Sequence, residues 1–190
     1  ISKIDYEKNP VYGFNQLPTF LTPFSKTFEW DIAVFKVLSR KYLDQMLSFD
    51  KREDTWLADG IHNYLMIKYV ERFYPEIKAI GEISKIWGVR NFNIAKINFN
   101  DKYPYVYQFA ARQNLDQALT TPSEELSNFN RKIVNKYKAG LGLRYLEAYL
   151  EDVNLQKLIF DFAVDNAFSQ VKTDTFMERL RHNTKMDITW

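Results

Sequence analysis

The chain has 190 residues, of which 46% are hydrophobic and 16% aromatic, with six glycines, six prolines and no cysteine. This length and apolar content predict a globular domain with a sizeable core rather than a disordered chain. The lack of cysteine excludes disulfides and thiolate metal sites, and the few glycines and prolines disfavour a sandwich or barrel. Basic and acidic residues are interspersed at a net charge of +2, which argues against a nucleic-acid partner. No apolar run approaches the roughly 20 residues of a transmembrane helix.

The N-terminal residues 1–27 differ from the rest in composition. They carry Pro10, Gly13, Pro18 and Pro23 among aromatic side chains. We expect them to form a loop segment that wraps a helical domain of residues 28–190. The chain starts at Ile1 rather than Met and stops at Trp190 inside an apolar stretch, so we expect a segment excised from a longer protein.

Two long helices are predicted in the first half of the chain. Apolar residues recur at three- and four-residue steps from Phe28 to about Phe49, and again from Trp56 to Tyr74, where Pro75 ends the pattern. The acidic and basic cluster 50–54 lies between them. Its carboxylates could bind a hard cation, but a solvated connection is the favoured interpretation.

The second half of the chain is also read as mainly helical. A short amphipathic piece lies between Gly81 and Gly88, and alternation over 92–99 indicates a short strand or extended loop. For the region after Tyr103, an alternating segment and a helix over 104–113 both fit. A capping pattern at 121–124 predicts the start of a helical turn, and longer helices are expected over 130–151, 155–169 and 173–181. The fold class is therefore mainly α, with six or seven helices.

The number and spacing of histidines limit the zinc and nucleophilic chemistry that the chain could carry. His62 and His182 are the only two and are 120 positions apart, whereas a helical zinc site needs two histidines four apart. A Ser-His-Asp arrangement is not excluded by residue counts, but no G-x-S-x-G elbow is present. Gly140 and Gly142 form a lone G-x-G inside a helical pattern, which is not a phosphate loop. A half-buried structural role is favoured for His62 over that of a base.

A resemblance to a known family rests on three motifs. The segment from Trp56 to Tyr64, W-L-A-D-G-I-H-N-Y, resembles the W-L-N-E-G-F-A-x-Y segment of family-M1 zinc aminopeptidases. The segment starting at Tyr137, Y-K-A-G-L-G-L-R-Y-L, is similar to their Y-E-K-G-A-x-V-L-x-M-L segment. The end of the chain, 173–190, resembles the segment that closes their catalytic domain. The resemblance covers about residues 28–190 and implies a lobe like the C-terminal part of this thermolysin-like catalytic domain.

The family register assigns roles to particular positions. In the family pattern H-E-x-x-H-x18-E, Asp59 takes the place of the third zinc ligand, and the 18-residue gap places Lys36 and Arg40 at the two histidines. Val37 falls at the general-base glutamate. Tyr137 matches the tyrosine that stabilises the tetrahedral intermediate in the family. The G-x-M-E-N segment that binds the substrate amino terminus is not present, and it would lie upstream of this chain.

These substitutions change the expected chemistry. Lysine and arginine offer no lone pair at neutral pH, and valine cannot activate water, so no zinc or other cofactor is expected where the family would use zinc. Lys36 and Arg40 stand one helical turn apart, and we expect them to form an ion pair with Asp59 at the vacated site. Their excess positive charge would call for another carboxylate or a bound anion. Tyr137 is then a vestige, most simply a core tyrosine.

The resemblance favours a catalytically inactive M1-like domain that binds a peptide or protein, or that scaffolds other domains of a longer chain. Two alternatives stay open. An active metallopeptidase could take its metal ligands from outside this fragment, and a helical interaction module could resemble the family only superficially.

Overall fold

The computed structural model of the chain describes residues 2–8, 11, 22–50 and 52–188. Over these ranges the chain is mainly helical, which confirms the expected class. The described α-helices are α1 (Lys3–Lys8), α2 (Lys26–Met46), α3 (Thr55–Phe73), α4 (Lys102–Arg112), α5 (Asn135–Tyr149), α6 (Leu155–Asp165) and α7 (Thr173–Asn183). Two short strands accompany them, β1 (Leu47–Phe49) and β2 (Ser169–Val171).

The N-terminal segment departs from the expected loop. Residues 3–8 form α1 instead, and α2 already begins at Lys26, where the Ser25 hydroxyl accepts a hydrogen bond from the Phe28 amide at 3.3 Å. A helix start capped in this way satisfies one of the amides that have no partner within the helix. Three of the residues that predicted a loop, Pro10, Gly13 and Pro18, lie outside the described residues.

The predicted helices α2 and α3 are present, but the end of the first was wrong. The chain leaves the helix at Met46, and β1 pairs in parallel with β2, with Leu47 opposite Ser169 and Phe49 opposite Val171. This pairing joins the end of α2 to the segment between α6 and α7. This strand pairing could not be predicted from the local sequence pattern, because the two strands have three residues each and are far apart in sequence.

The segment 92–99 was expected as a strand or extended loop, but only Phe92, Ile97 and Asn98 are extended and no strand forms. The other residues lie in 3₁₀ turns at Asn93–Lys96 and Phe99–Asp101, and a further 3₁₀ helix covers Gly81–Lys85. A single bridge pairs Lys78 with Asn98. Of the two possibilities for the following region, the helix is the one observed, as α4.

The capping pattern at 121–124 predicted the start of a helical turn, and a single turn is present there, closed by the Glu125 amide on the Pro122 carbonyl at 2.9 Å, although it does not continue as a helix. The helix begins further on, where the Ser127 hydroxyl accepts from the Asn130 amide at 3.2 Å. A π-helical turn, Asn130–Val134, then leads directly into α5. The last two helices are present, although α6 ends at Asp165, before the predicted end at 169.

The core divides into three groups of buried side chains. The largest joins α2, α3 and α5 to α6 and α7, and its fully buried members include Leu57, Ile61, Tyr64, Phe162 and Phe176. A second group packs α2 and α3 around Phe28 and Phe99. A third, with Tyr103 and Tyr137, joins α4 to α5. No helix within the described ranges combines the length and the apolarity that crossing a membrane requires.

Candidate functional site

The centre of the candidate site is an ion pair between α2 and α3. The Arg40 guanidinium donates a hydrogen bond to the Asp59 carboxylate, whose residue is only 4% exposed. The same guanidinium contacts Asp44 at 3.2 Å on the outer side. The expected contact between Arg40 and Asp59 is therefore present. Because a buried carboxylate without a cation would be costly, this pair fixes how α2 lies on α3.

A second cation reaches Asp59 from α5. The Lys136 ammonium nitrogen lies 3.5 Å from Asp59 Oδ2. Lys136 was not among the residues predicted from the sequence, although it directly precedes Tyr137. Its role depends on how closely α5 approaches α3, which no local pattern specifies.

Two glycines explain that close approach. The contact between α3 and α5 is the most extensive between any two elements of the described chain. A Cβ on Gly60 would lie 2.8 Å from the Cβ of Ala139, and a Cβ on Gly140 would lie 2.7 Å from the Cβ of Asn63. Each helix thus presents a glycine to the other where the backbones are closest. The glycine next to Asp59 lets Lys136 come within ion-pair distance.

Lys36 adds positive charge to the same region. It stands one turn before Arg40 on α2, and burial together with the charge of Lys136 lowers the pKa of its ammonium to about 8. Burial also lowers the pKa of Lys102, followed by the charge of Lys36. The Lys102 ammonium donates to the Val11 carbonyl at 3.0 Å and lies 3.6 Å from the centre of the Phe99 ring. Cations of α2 and α5 therefore lie around one buried carboxylate, and Lys102 of α4 lies near Lys36.

The remaining two positions from the sequence analysis are apolar or neutral. Val37 is buried in α2. Tyr137 is buried in the third core group, edge-on to Tyr103 with ring centres 4.7 Å apart. Burial raises the pKa of the Tyr137 hydroxyl to about 12, so it stays protonated at neutral pH. Such a hydroxyl can donate a hydrogen bond but carries no charge.

Ser39 and His62 lie in contact, the arrangement that a serine nucleophile and its base would have. The Ser39 hydroxyl lies 3.1 Å from His62 Nδ1. Burial, and then the charges of Arg40 and Lys36, lower the pKa of the imidazole to about 3. A general base must accept a proton, and here the surrounding cations oppose that step. The pair is consistent with a structural role for His62 and not with nucleophilic catalysis.

Metal ligation finds no support in the described part of the chain. No group of three or more His, Asp or Glu side chains there could hold a metal ion. In the cluster 50–54, Asp50 accepts from the Arg52 amide at 2.8 Å, and Asp54 accepts from the amide of Thr173 at 3.2 Å. Asp50 thus closes a local turn, whereas Asp54 ties this connection to the first residue of α7.

A separate apolar groove runs along the outer face of α2. It has a volume of about 830 Å³ and lies between α2, α3 and α6. Leu38, Tyr42 and Phe160 line it and are all more than 45% exposed. Polar side chains also line it, among them Asp31 and Gln156. An exposed apolar groove with polar lining groups is typical of a site for another molecule.

Comparison with known proteins gives no relative for this chain: no protein-family model, no curated protein and no solved structure matches it. The relation to M1 aminopeptidases therefore stays a hypothesis based on the sequence motifs.

Proposed function

We propose that this chain is a catalytically inactive M1-like domain that binds a segment of a partner protein. The observation that carries the first part is the Asp59 cluster, in which Arg40 and Lys136 contact the carboxylate that the motif register aligns with a zinc ligand. A carboxylate held by two cations has its charge already compensated. A divalent cation would have to displace both of them and would meet the charge of Lys36 as well.

The absence of catalysis follows from the side chains at these positions. Zinc peptidases need neutral imidazoles as ligands and a carboxylate to activate water. Lys36, Val37 and Arg40 supply neither. The carboxylate aligned with the third zinc ligand, Asp59, is engaged by Arg40 and Lys136.

The groove between α2, α3 and α6 is the proposed binding surface. Along α2 it extends from Asp31 to Gln45, which corresponds to roughly 20 Å or four helical turns. This length and the apolar lining suit an amphipathic helix of a partner protein, which would place side chains at three- and four-residue steps against Leu38, Tyr42 and Phe160.

Metal analysis tests the inactive part of the proposal. Purified protein loaded with zinc and then desalted is expected to retain much less than one zinc per chain, and to release no amino acid from aminoacyl chromogenic substrates. Stoichiometric zinc that disappears in Asp59→Asn would overturn it and favour an active metallopeptidase instead.

A peptide-library selection tests the binding part. The wild-type chain is expected to enrich peptides with apolar residues at helical spacing, and Leu38→Ser/Tyr42→Ser is expected to lose them. Both side chains are exposed, so this variant should fold normally, which circular dichroism checks. Enrichment that is equal for both chains would contradict the proposed groove.

A further inference from the structure

A second exposed apolar surface lies at residues 83–96, away from the groove. Its large apolar side chains with at least 40% exposure are Ile83, Ile86, Trp87, Phe92 and Ile94. Trp87 is 77% exposed and Phe92 is 65% exposed. None of these residues lines the groove between α2, α3 and α6. So many large apolar side chains within twelve residues of surface point to an interaction site.

The charges of this segment are one-sided. Residues 83–100 contain Lys85, Arg90 and Lys96 but no aspartate or glutamate. Lys85 pairs with Glu82 at 2.7 Å. Arg90 and Lys96 have no carboxylate within ion-pair distance in the described part of the chain. The exposed apolar side chains are thus accompanied by unneutralised positive charge.

The segment is held in place at its base. Gly81 adopts a positive φ of 51°, and a Cβ there would collide with the Pro23 carbonyl. The Ala79 amide donates to the Ile97 carbonyl at 2.9 Å, and Phe99 is buried in the second core group. The exposed side chains therefore project from a fixed base.

The backbone of the segment satisfies many of its own amides. The amides of Ile86, Val89 and Phe92 each donate to the carbonyl three residues earlier, at 2.9–3.1 Å. A hypothetical Cβ on Gly88 would meet no atom within 4 Å, so the backbone beside Trp87 borders open space. A protruding turn whose amides are paired internally can enter a poorly hydrated environment at a reduced desolvation cost.

We propose that residues 83–96 bind the surface of an anionic lipid membrane. Trp87 and Phe92 lie at the level of the headgroups, where aromatic side chains are preferred, and Arg90 and Lys96 contact lipid phosphates. A fluid lipid surface accommodates a protruding apolar turn without a preformed pocket, and the unneutralised charges of Arg90 and Lys96 complement anionic headgroups. The combination of exposed aromatic and aliphatic residues with lysine and arginine is typical of proteins that lie on membranes.

Vesicle co-sedimentation of the 190-residue chain tests this binding. We expect the wild type to sediment with phosphatidylcholine vesicles that contain phosphatidylserine, more weakly with phosphatidylcholine alone, and less as the salt concentration rises. Trp87→Ser/Phe92→Ser is expected to weaken binding about tenfold or more, because it removes two large apolar side chains from the interface. Arg90→Glu/Lys96→Glu is expected to remove the preference for phosphatidylserine.

Leu38→Ser/Tyr42→Ser is the matched control, since it removes two exposed apolar side chains from the groove instead. It should bind vesicles as the wild type does. A wrong assignment of peptide binding to the groove can then be distinguished from a wrong assignment of lipid binding to residues 83–96. The proposal is overturned if the wild type does not sediment with phosphatidylserine vesicles, or if Trp87→Ser/Phe92→Ser sediments equally well. It is also overturned if a protein partner requires Trp87 while vesicles are not bound.

Discussion

At the scale of single residues, Asp59 of α3 connects three helices. Its buried carboxylate forms ion pairs with Arg40 of α2 and Lys136 of α5. Asp59→Asn keeps the volume but leaves two cations beside a neutral group. We expect the free energy of unfolding to fall by roughly 2–4 kcal/mol, toward the low end for broken buried pairs because both cations are partly exposed. Urea unfolding followed by circular dichroism measures this loss.

Asp44→Asn is the matched control, since Asp44 contacts the same guanidinium on the exposed side. Exposed pairs contribute little, so this variant should lose less than about 1 kcal/mol. Equal losses in the two variants would mean that the buried position of Asp59 has no special role.

His62 provides a pH-dependent test of the same cluster. Its pKa is lowered to about 3 in the fold, against roughly 6.5 in an unfolded chain. The unfolded state therefore binds more protons between these values, and the stabilisation is present above pH 6.5 and lost as the pH falls toward 3. We expect His62→Asn to reduce the loss of stability between pH 6.5 and 4 by roughly 1–2 kcal/mol, a figure discounted for partial exposure.

Ser39→Ala separates the hydrogen bond from the electrostatic cause. This variant removes the contact to Nδ1 but leaves the burial and the cations that lower the pKa. Its stability should keep the wild-type dependence on pH. If His62→Asn and the wild type lost stability in parallel, the neutral imidazole would not be a determinant of acid stability.

The residues of the site were only partly predictable from sequence. Arg40 and Asp59 were expected together only because the resemblance to the M1 register places both at one site; the periodicity of two helices does not by itself say which of their residues meet. Lys136 was missed because its position depends on the distance between α3 and α5. That distance depends on Gly60 and Gly140, and the sequence does not show that these two glycines lie where α3 and α5 meet.

The packing of α5 on α3 gives a prediction at the scale of elements. Gly140→Ala places a methyl group 2.7 Å from the Cβ of Asn63, so the helices must separate or shift. We expect a loss of about 1–3 kcal/mol in the free energy of unfolding, as for other overpacked cores.

Gly142, also in α5, is the matched control, because a methyl group there would have no atom within 4 Å. Gly142→Ala should therefore stabilise the chain by about 0.5–1 kcal/mol through helix propensity. The same change in both variants would contradict the close contact.

Elements were predicted well where periodicity is long and poorly where it is short. The helices α2 and α3 extend over 21 and 19 residues, so many turns repeat the same pattern. The alternation over 92–99 suggested a strand, but a 3₁₀ turn repeats every three residues and a strand every two. Over only eight residues these two periods are hard to distinguish. The strands β1 and β2 have three residues each, and their pairing joins segments far apart in sequence, so no local pattern predicts it.

At the scale of the whole molecule, the largest core group links sequence segments from Leu43 to Ile188. Phe176 of α7 is fully buried in it, edge-on to Phe162 with ring centres 5.2 Å apart. A core shared by elements so distant in sequence should unfold as one unit. Circular dichroism and tryptophan fluorescence are therefore expected to report the same transition, since Trp56 packs against this core while helices lie throughout the chain.

Phe176→Ala tests that cooperativity. It removes a buried ring, so we expect the free energy of unfolding to fall by about 3–5 kcal/mol, with both signals shifting together in urea. Phe168→Ala is the control, because Phe168 is 84% exposed and its loss should change stability by less than about 0.5 kcal/mol. If Phe176→Ala separated the two transitions, α6 and α7 would form a unit that unfolds independently. The parallel pairing of β1 with β2 would then be too weak to join the two ends of the fold, and the groove between α2 and α6 would open before the Asp59 cluster is lost.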